Sequence, residues 1–225
     1  MKVQIEDQLR SALHKCAKRI YEKGLVQAGE GNMSVRIPNK KELIVTPTYN
    51  KYYNLKTEDL SHITFDGLII KGKKPSSEFK LHVEVYKSRP RAKCVIHTHS
   101  SYATMMSVAR IPIPILLEEQ VIFLGGSVNV SDFAVAHSDE FSKNAIKALF
   151  TKNGTLMANH GVLVCGRNTE DAIKMAELVE KLAFIYTGAK NYDNIYDVAP
   201  TSCSRFYEDF EKTFATHSEE KGICE

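Results

Sequence analysis

The chain of 225 residues and 25.3 kDa is long enough for one large domain and too short for two ordinary domains with a linker. Hydrophobic residues at 43% and charged residues at 25% sit at the globular average, which excludes disorder, collagen and coiled coil. Thirty Lys plus Arg against 27 Asp plus Glu leave +3, without the dense basic stripe that duplex DNA or an anionic bilayer requires, so neither nucleic acid nor membrane is an expected partner. The longest apolar run, Ile111 to Leu117, is broken by Pro112 and Pro114 and falls far short of the ~20 residues of a membrane helix. No apolar stretch follows Lys2, so no secretory signal is expected and the cytoplasm is the expected location. Cys16, Cys94, Cys165, Cys203 and Cys224 are scattered and never in a Cys-x-x-Cys pair, which predicts reduced thiols.

Ile5, Leu9, Leu13, Cys16, Ala17 and Ile20 form the stripe of an amphipathic helix that Gly24 ends. From Asn32 the period becomes two: Met33, Val35 and Ile37, a turn at 38–41, then Leu43, Ile44 and Val45 predict a hairpin. Ile63 and Phe65, Asp66-Gly67, and Leu68 to Ile70 predict a second. Ser77 to Ser88 is helical in pattern and stops before Pro90. Cys94, Val95 and Ile96 read as a buried strand running into His97-Thr98-His99, with a short helix from Tyr102. Ser138 caps a helix reaching Phe150, and Leu156 to Ala158 and Val162 to Cys165 flank Asn159-His160-Gly161 as two strands or one bent one. Gly125-Gly126 reads as a loop closing a strand. Thr169 is the expected cap of the last long helix, and Phe206, Phe210 and Phe214 predict a short amphipathic helix in the tail. The sum is a mixed sheet with flanking helices.

His97 and His99, two apart on a strand, leave the same face while Thr98 points the other way, and neutral imidazoles so placed suit zinc. His160 beside Gly161 sits where the backbone turns tightly, fitting either a third ligand or an ordinary turn histidine. Glu78 opens a predicted helix behind Ser76 and Ser77, which suits a capping box or, with two hydroxyls and free helix N–H groups, an anion site. Gly29-Glu30-Gly31-Asn32 makes either a plain turn or a phosphate cradle. His14, His62, His82, His137 and His217 have no partner at ligand spacing and read as structural or surface residues.

In chain order, Gly31-Asn32, Thr46-Pro47-Thr48, Ser76-Ser77-Glu78, His97-Thr98-His99 and His160-Gly161 resemble the class II aldolase and adducin family over about residues 5 to 190. The resemblance implies a single three-layer α/β/α domain over residues 1–200 with a central mixed, largely antiparallel sheet. It leaves 201–225 as a tail helix at a subunit interface. It implies one Zn²⁺ per chain held by His97, His99, His160 and, at rest, Glu78, in a homotetramer with active sites between subunits. The implied reaction is retro-aldol cleavage of a ketose 1-phosphate of the fuculose 1-phosphate kind to dihydroxyacetone phosphate and an aldehyde. Glu78 would shuttle the proton, and Gly31, Asn32, Thr48, Tyr49, Ser76 and Ser77 would hold the phosphate. Tyr49 departs from the family's glycine, and Glu118 and Glu119 stand where its aldolases carry a catalytic tyrosine; Glu119 is the expected acid/base group. An acid in that segment also suits the family's methylthioribulose 1-phosphate dehydratases. A pentulose-phosphate 4-epimerase and a non-enzymatic adducin-type binding domain are the remaining alternatives, the last opposed by the retention of all four prospective ligands.

Overall fold

A computed structural model describes residues 2–27, 29–48 and 51–214. The amphipathic stripe at the start forms α1 (Lys2–Glu22), which buries Leu13, Cys16, Ala17 and Ile20 and ends before Gly24 at φ +70°. Alternation then builds β1 (Asn32–Arg36) and β2 (Glu42–Val45), paired Ser34 to Val45, and β3 (Ser61–Thr64) and β4 (Ile69–Lys71), turned through Gly67 at φ +87°. Next come α2 (Phe79–Ser88), β5 (Cys94–Thr98), α3 (Ser101–Ala109), α4 (Glu118–Leu124) and α5 (Asp139–Leu149). The chain closes with β6 (Gly154–Met157), β7 (Gly161–Gly166), α6 (Thr169–Ala189) and α7 (Ser204–Phe214).

The strands form one seven-stranded sheet in the order β4-β3-β2-β1-β5-β7-β6. Among the described residues all six ladders are antiparallel, and the one parallel pairing is an isolated bridge between Val130 and Leu156. Because side chains alternate along a strand, the two faces collect different residues. Met33, Val35, Cys94, Ile96 and Val164 meet α1 and α6 on one side, and Leu43, Val95, Leu163 and Cys165 meet α2 and α5 on the other. This is the three-layer α/β/α arrangement. His97, two residues beyond Val95, therefore faces the α2 and α5 layer.

Three local expectations change. Residues 118–124 form a helix that no periodicity announces, since seven residues span only two turns; Gly125 at φ +80° is its left-handed C-cap, where a strand-closing loop was expected. Asn168, one residue before Thr169, caps α6 by accepting the Asp171 N–H at 2.8 Å. The helix expected from Ser77 starts at Phe79. In the tail, α7 packs on α4, and Phe210 and Phe214 join the main core; His217 and Cys224 lie outside the described residues. Cys16, Cys94, Cys165 and Cys203 are buried free thiols. Among the described residues no helix is long and apolar enough to cross a membrane.

Candidate metal centre and active site

His97 is the penultimate residue of the fully buried β5 and His99 follows the strand's end, while His160 stands in the β6–β7 turn, where Asn159 takes φ +52°. The three imidazoles converge. His97 donates Nδ1–H to the Val162 carbonyl at 2.8 Å, which fixes its tautomer and aims Nε2 into the cluster. That Nε2 lies 2.9 Å from Nε2 of His99 and 3.3 Å from Oε2 of Glu78, and His160 Nε2 lies 2.9 Å from Glu78 Oε1. Phe141 of α5 sets its ring against His160 at 4.8 Å, which limits how that imidazole turns.

Four ligands around one zinc at 2.0–2.1 Å stand ~3.3 Å from one another; the three separations of 2.9 to 3.3 Å need only a small expansion to admit an ion, and the three histidine nitrogens all lie within 4.8 Å of one another. The donor set also fits: three nitrogen ligands and one carboxylate select a transition metal over magnesium or calcium. Burial pushes the His97 pKa down to about 3, and burial and the neighbouring His160 lower that of His99, so both offer lone pairs at neutral pH. Burial opposes the charge on Glu78. The imidazoles of His97 and His160 and the 2.7 Å hydrogen bond from Asn32 Nδ2 outweigh it, holding the carboxyl well below the usual carboxylate range.

Glycine is required at the strand crossing that assembles these ligands. A Cβ on Gly161 would stand 2.3 Å from the Thr98 carbonyl oxygen and 3.3 Å from the His97 ring. Gly31, at φ +64°, would bring a Cβ to 2.8 Å from the His97 carbonyl oxygen. The backbone on either side of β5 comes close because neither position carries a side chain.

Glu78 occupies the N-cap position of α2 without making a side-chain cap, because both its oxygens face the cluster; this removes the capping-box alternative. Asn32 is buried, with its amide bonded to Glu78 on one side and His82 on the other. An isolated bridge between Pro47 and Pro75 draws Thr46-Pro47-Thr48 alongside Ser76 and Ser77. Ser76 is buried, its Oγ accepting the Glu78 N–H, and Ser77 is exposed. Thr48 borders a cleft of about 380 Å³ that Lys51, Lys73 and Lys74 also line. Tyr49 lies outside the described residues. Glu119 is partly exposed on α4, and its carboxylate pairs with Lys181 of α6 at 2.6 Å, not with the histidines.

Two contributors do not read as site residues in the sequence. Glu180, half-way along α6, accepts the N–H groups of Tyr102 and Ala103 at 3.0 and 2.9 Å, capping α3 from outside and pinning the segment after His99. His82 is completely buried behind Asn32.

Comparisons with known proteins agree with this geometry. Residues 11–187 match the family described as Class II Aldolase and Adducin N-terminal domain. The L-fuculose phosphate aldolase of Escherichia coli O6:H1 is 34% identical over 163 residues, 72% of this chain and 75% of that protein. The 5-methylthioribulose-1-phosphate/5-deoxyribulose-1-phosphate aldolase of Rhodospirillum rubrum is 31% identical over 178 residues, 79% of this chain and 80% of that one. A solved L-fuculose 1-phosphate aldolase superposes with a TM-score of 0.86 at 29% identity, covering 91% of this chain and 96% of that chain.

Proposed function

The chain belongs to the class II aldolase and adducin family, and from that premise we propose that it is a zinc-dependent aldolase cleaving a ketose 1-phosphate, of the fuculose 1-phosphate kind, to dihydroxyacetone phosphate and an aldehyde. Its relatives and its fold are those of class II aldolases, carbon–carbon lyases. The observation that carries the reading is the convergence of His97, His99 and His160 with an ionised Glu78. His97, His99 and His160 would hold the zinc ion, which when bound supplies the Lewis acidity that draws charge from the substrate's ketone oxygen.

The protein's own groups handle position and protons. Ser76, Ser77, Thr48, the Gly31-Asn32 turn and the backbone of Tyr49 grip the phosphate, with Lys51 and Lys74 adding positive charge to the cleft that Thr48 borders, where Lys73 is paired with Asp59 at 2.8 Å. Cleavage breaks C3–C4: the C4 hydroxyl loses its proton as the aldehyde forms, and the bonding pair remains on the three-carbon fragment until a proton reaches C3. Glu78, having taken up a proton as substrate enters, delivers it to C3, and removes it in the condensation direction. Glu119 accepts the C4 hydroxyl proton in the site of a neighbouring copy of a homotetramer; within its own chain it is turned to Lys181. A phosphorylated substrate does not cross an apolar bilayer unaided, which suits a cytoplasmic enzyme.

Metal-loaded protein incubated with a panel of ketose 1-phosphates, with products identified by mass, tests the reading. Dihydroxyacetone phosphate is the expected product, with one zinc per chain by elemental analysis. Loss of water without carbon–carbon cleavage would move the chain to the dehydratase reading.

A further inference from the structure

Behind Glu78 a second set of polar side chains runs into the interface between the sheet and α2. Glu78, His82 and Tyr86 stand at i, i+4 and i+8, one ridge of the helix, and face Asn32 and Ser34 at alternate positions of β1. The registers agree because four helical residues rise ~6.0 Å and two strand residues ~6.8 Å. His82 and Ser34 are fully buried, Tyr86 and Asn32 nearly so. The contacts form one line: Tyr86 OH to Ser34 Oγ at 2.7 Å, Ser34 Oγ to His82 Nδ1 at 2.7 Å, His82 Nε2 to Asn32 Oδ1 at 2.5 Å, and Asn32 Nδ2 to Glu78 Oε2 at 2.7 Å.

We propose that His82 is a positioning residue of the active site: its Nε2–H, steered by Ser34 and Tyr86, locks the Asn32 amide with its NH₂ group toward Glu78. The role rests on the reading of Glu78 as the proton-transfer group. An ionised carboxylate only accepts, so Asn32 must present Nδ2 to it and leave Oδ1 for His82. A carbonyl oxygen only accepts, so His82 donates from Nε2. A neutral imidazole has one N–H, so Nδ1 is a lone pair and accepts from the Ser34 hydroxyl, whose oxygen in turn accepts from Tyr86. Complete burial keeps the ring neutral, with a pKa pushed down to about 4. Running the chain in the opposite sense would set the Asn32 carbonyl oxygen against the Glu78 carboxylate at 2.7 Å, oxygen against oxygen. Every donor and acceptor in the line is therefore used in one sense only, and that sense ends with an N–H on the group that moves the proton.

Two substitutions of similar size separate this role from simple packing. In His82→Gln the side-chain NH₂ reaches the place of Nε2 and keeps the donor to Asn32; in His82→Asn the shorter amide reaches only the place of Nδ1. The glutamine variant is expected to retain turnover within about threefold, and the asparagine variant to lose ~10- to ~100-fold, the range set by one hydrogen bond to a charged group. Neutron diffraction from zinc-loaded wild-type crystals grown in D₂O reads the tautomer directly and needs no activity: deuterium is expected on Nε2 of His82 and not on Nδ1. Deuterium on Nδ1 or on both nitrogens, or equal losses in the two variants, would overturn the proposal. Failure of the wild type to cleave any ketose phosphate would instead remove the reading of Glu78, while the tautomer still decides the lock.

Discussion

Replacing Gly161 by alanine should damage the metal centre without touching any ligand. The backbone there is not in the left-handed region, so the added methyl is opposed by space alone: it would meet the Thr98 carbonyl oxygen at 2.3 Å, the His99 ring at 3.2 Å and the His97 ring at 3.3 Å. Ordinary contact needs 3.4 Å or more, so β5 and β7 must separate by about 1 Å where Thr98 pairs with Val162. Overpacking of this kind costs ~1–3 kcal/mol. The same shift moves His97 and His99 relative to His160 by about twice the ~0.5 Å that a preorganised site tolerates. Denaturant unfolding of metal-free protein should show that loss of stability, and calorimetric titration with zinc an affinity at least ~10-fold weaker. Gly188→Ala, inside α6 with nothing within 4 Å of the added Cβ, is the control, and should leave zinc binding unchanged while gaining up to ~1 kcal/mol. Wild-type stability together with wild-type zinc affinity in Gly161→Ala would refute the close-approach argument.

Three further outcomes follow from the site. Changing Ser76 and Ser77 together to alanine should weaken inhibition by inorganic phosphate and phosphoglycolate in parallel with substrate binding; unchanged inhibition by both anions would remove the serines from the phosphate site. Glu119→Gln should lower cleavage while metal content stays intact, with Glu118→Gln as control, and full activity in both would leave the pair as surface charges. Metal-free protein should lose stability as pH falls from about 6.5 to about 4: the folded pKa of His82 lies near 4, below the unfolded 6.5, so the unfolded chain takes up the proton first and the loss reaches about 3 kcal/mol. His97, depressed to about 3, acts in the same direction, and a denaturation midpoint constant between pH 7 and pH 5 would contradict both.

The hairpins, the long helices and the histidine cluster were legible because each rests on a local pattern. Period two at Met33, Val35 and Ile37, and the two-residue step from His97 to His99, dictate which face a side chain takes whatever surrounds it. His160 was legible as a candidate through Gly161, although the need for glycine became specific only with the Thr98 carbonyl oxygen beside it. α4 was not legible, since seven residues between a proline-rich loop and Gly125 carry too few turns for a period to emerge. Asn32 was legible as a site residue beside Gly31, but the partners of its side-chain amide, Glu78 and His82, lie 46 and 50 residues away and no local pattern names them. The spacing of Glu78, His82 and Tyr86 opposite Asn32 and Ser34 was present in the sequence. It gains meaning only once α2 is known to lie on that face of β1.

The central claim, that Glu78 moves a proton at C3 beside a metal held by three histidines, is tested most directly on the isolated half-reaction. Zinc-loaded protein incubated with dihydroxyacetone phosphate in D₂O, without any aldehyde, should exchange one C3 hydrogen for deuterium, as followed by proton NMR. Glu78→Gln, with metal content and fold intact, should slow that exchange by ~10²–10⁴, the usual contribution of a general base. Exchange at the wild-type rate in Glu78→Gln, or no exchange by the zinc-loaded wild type, would contradict the account.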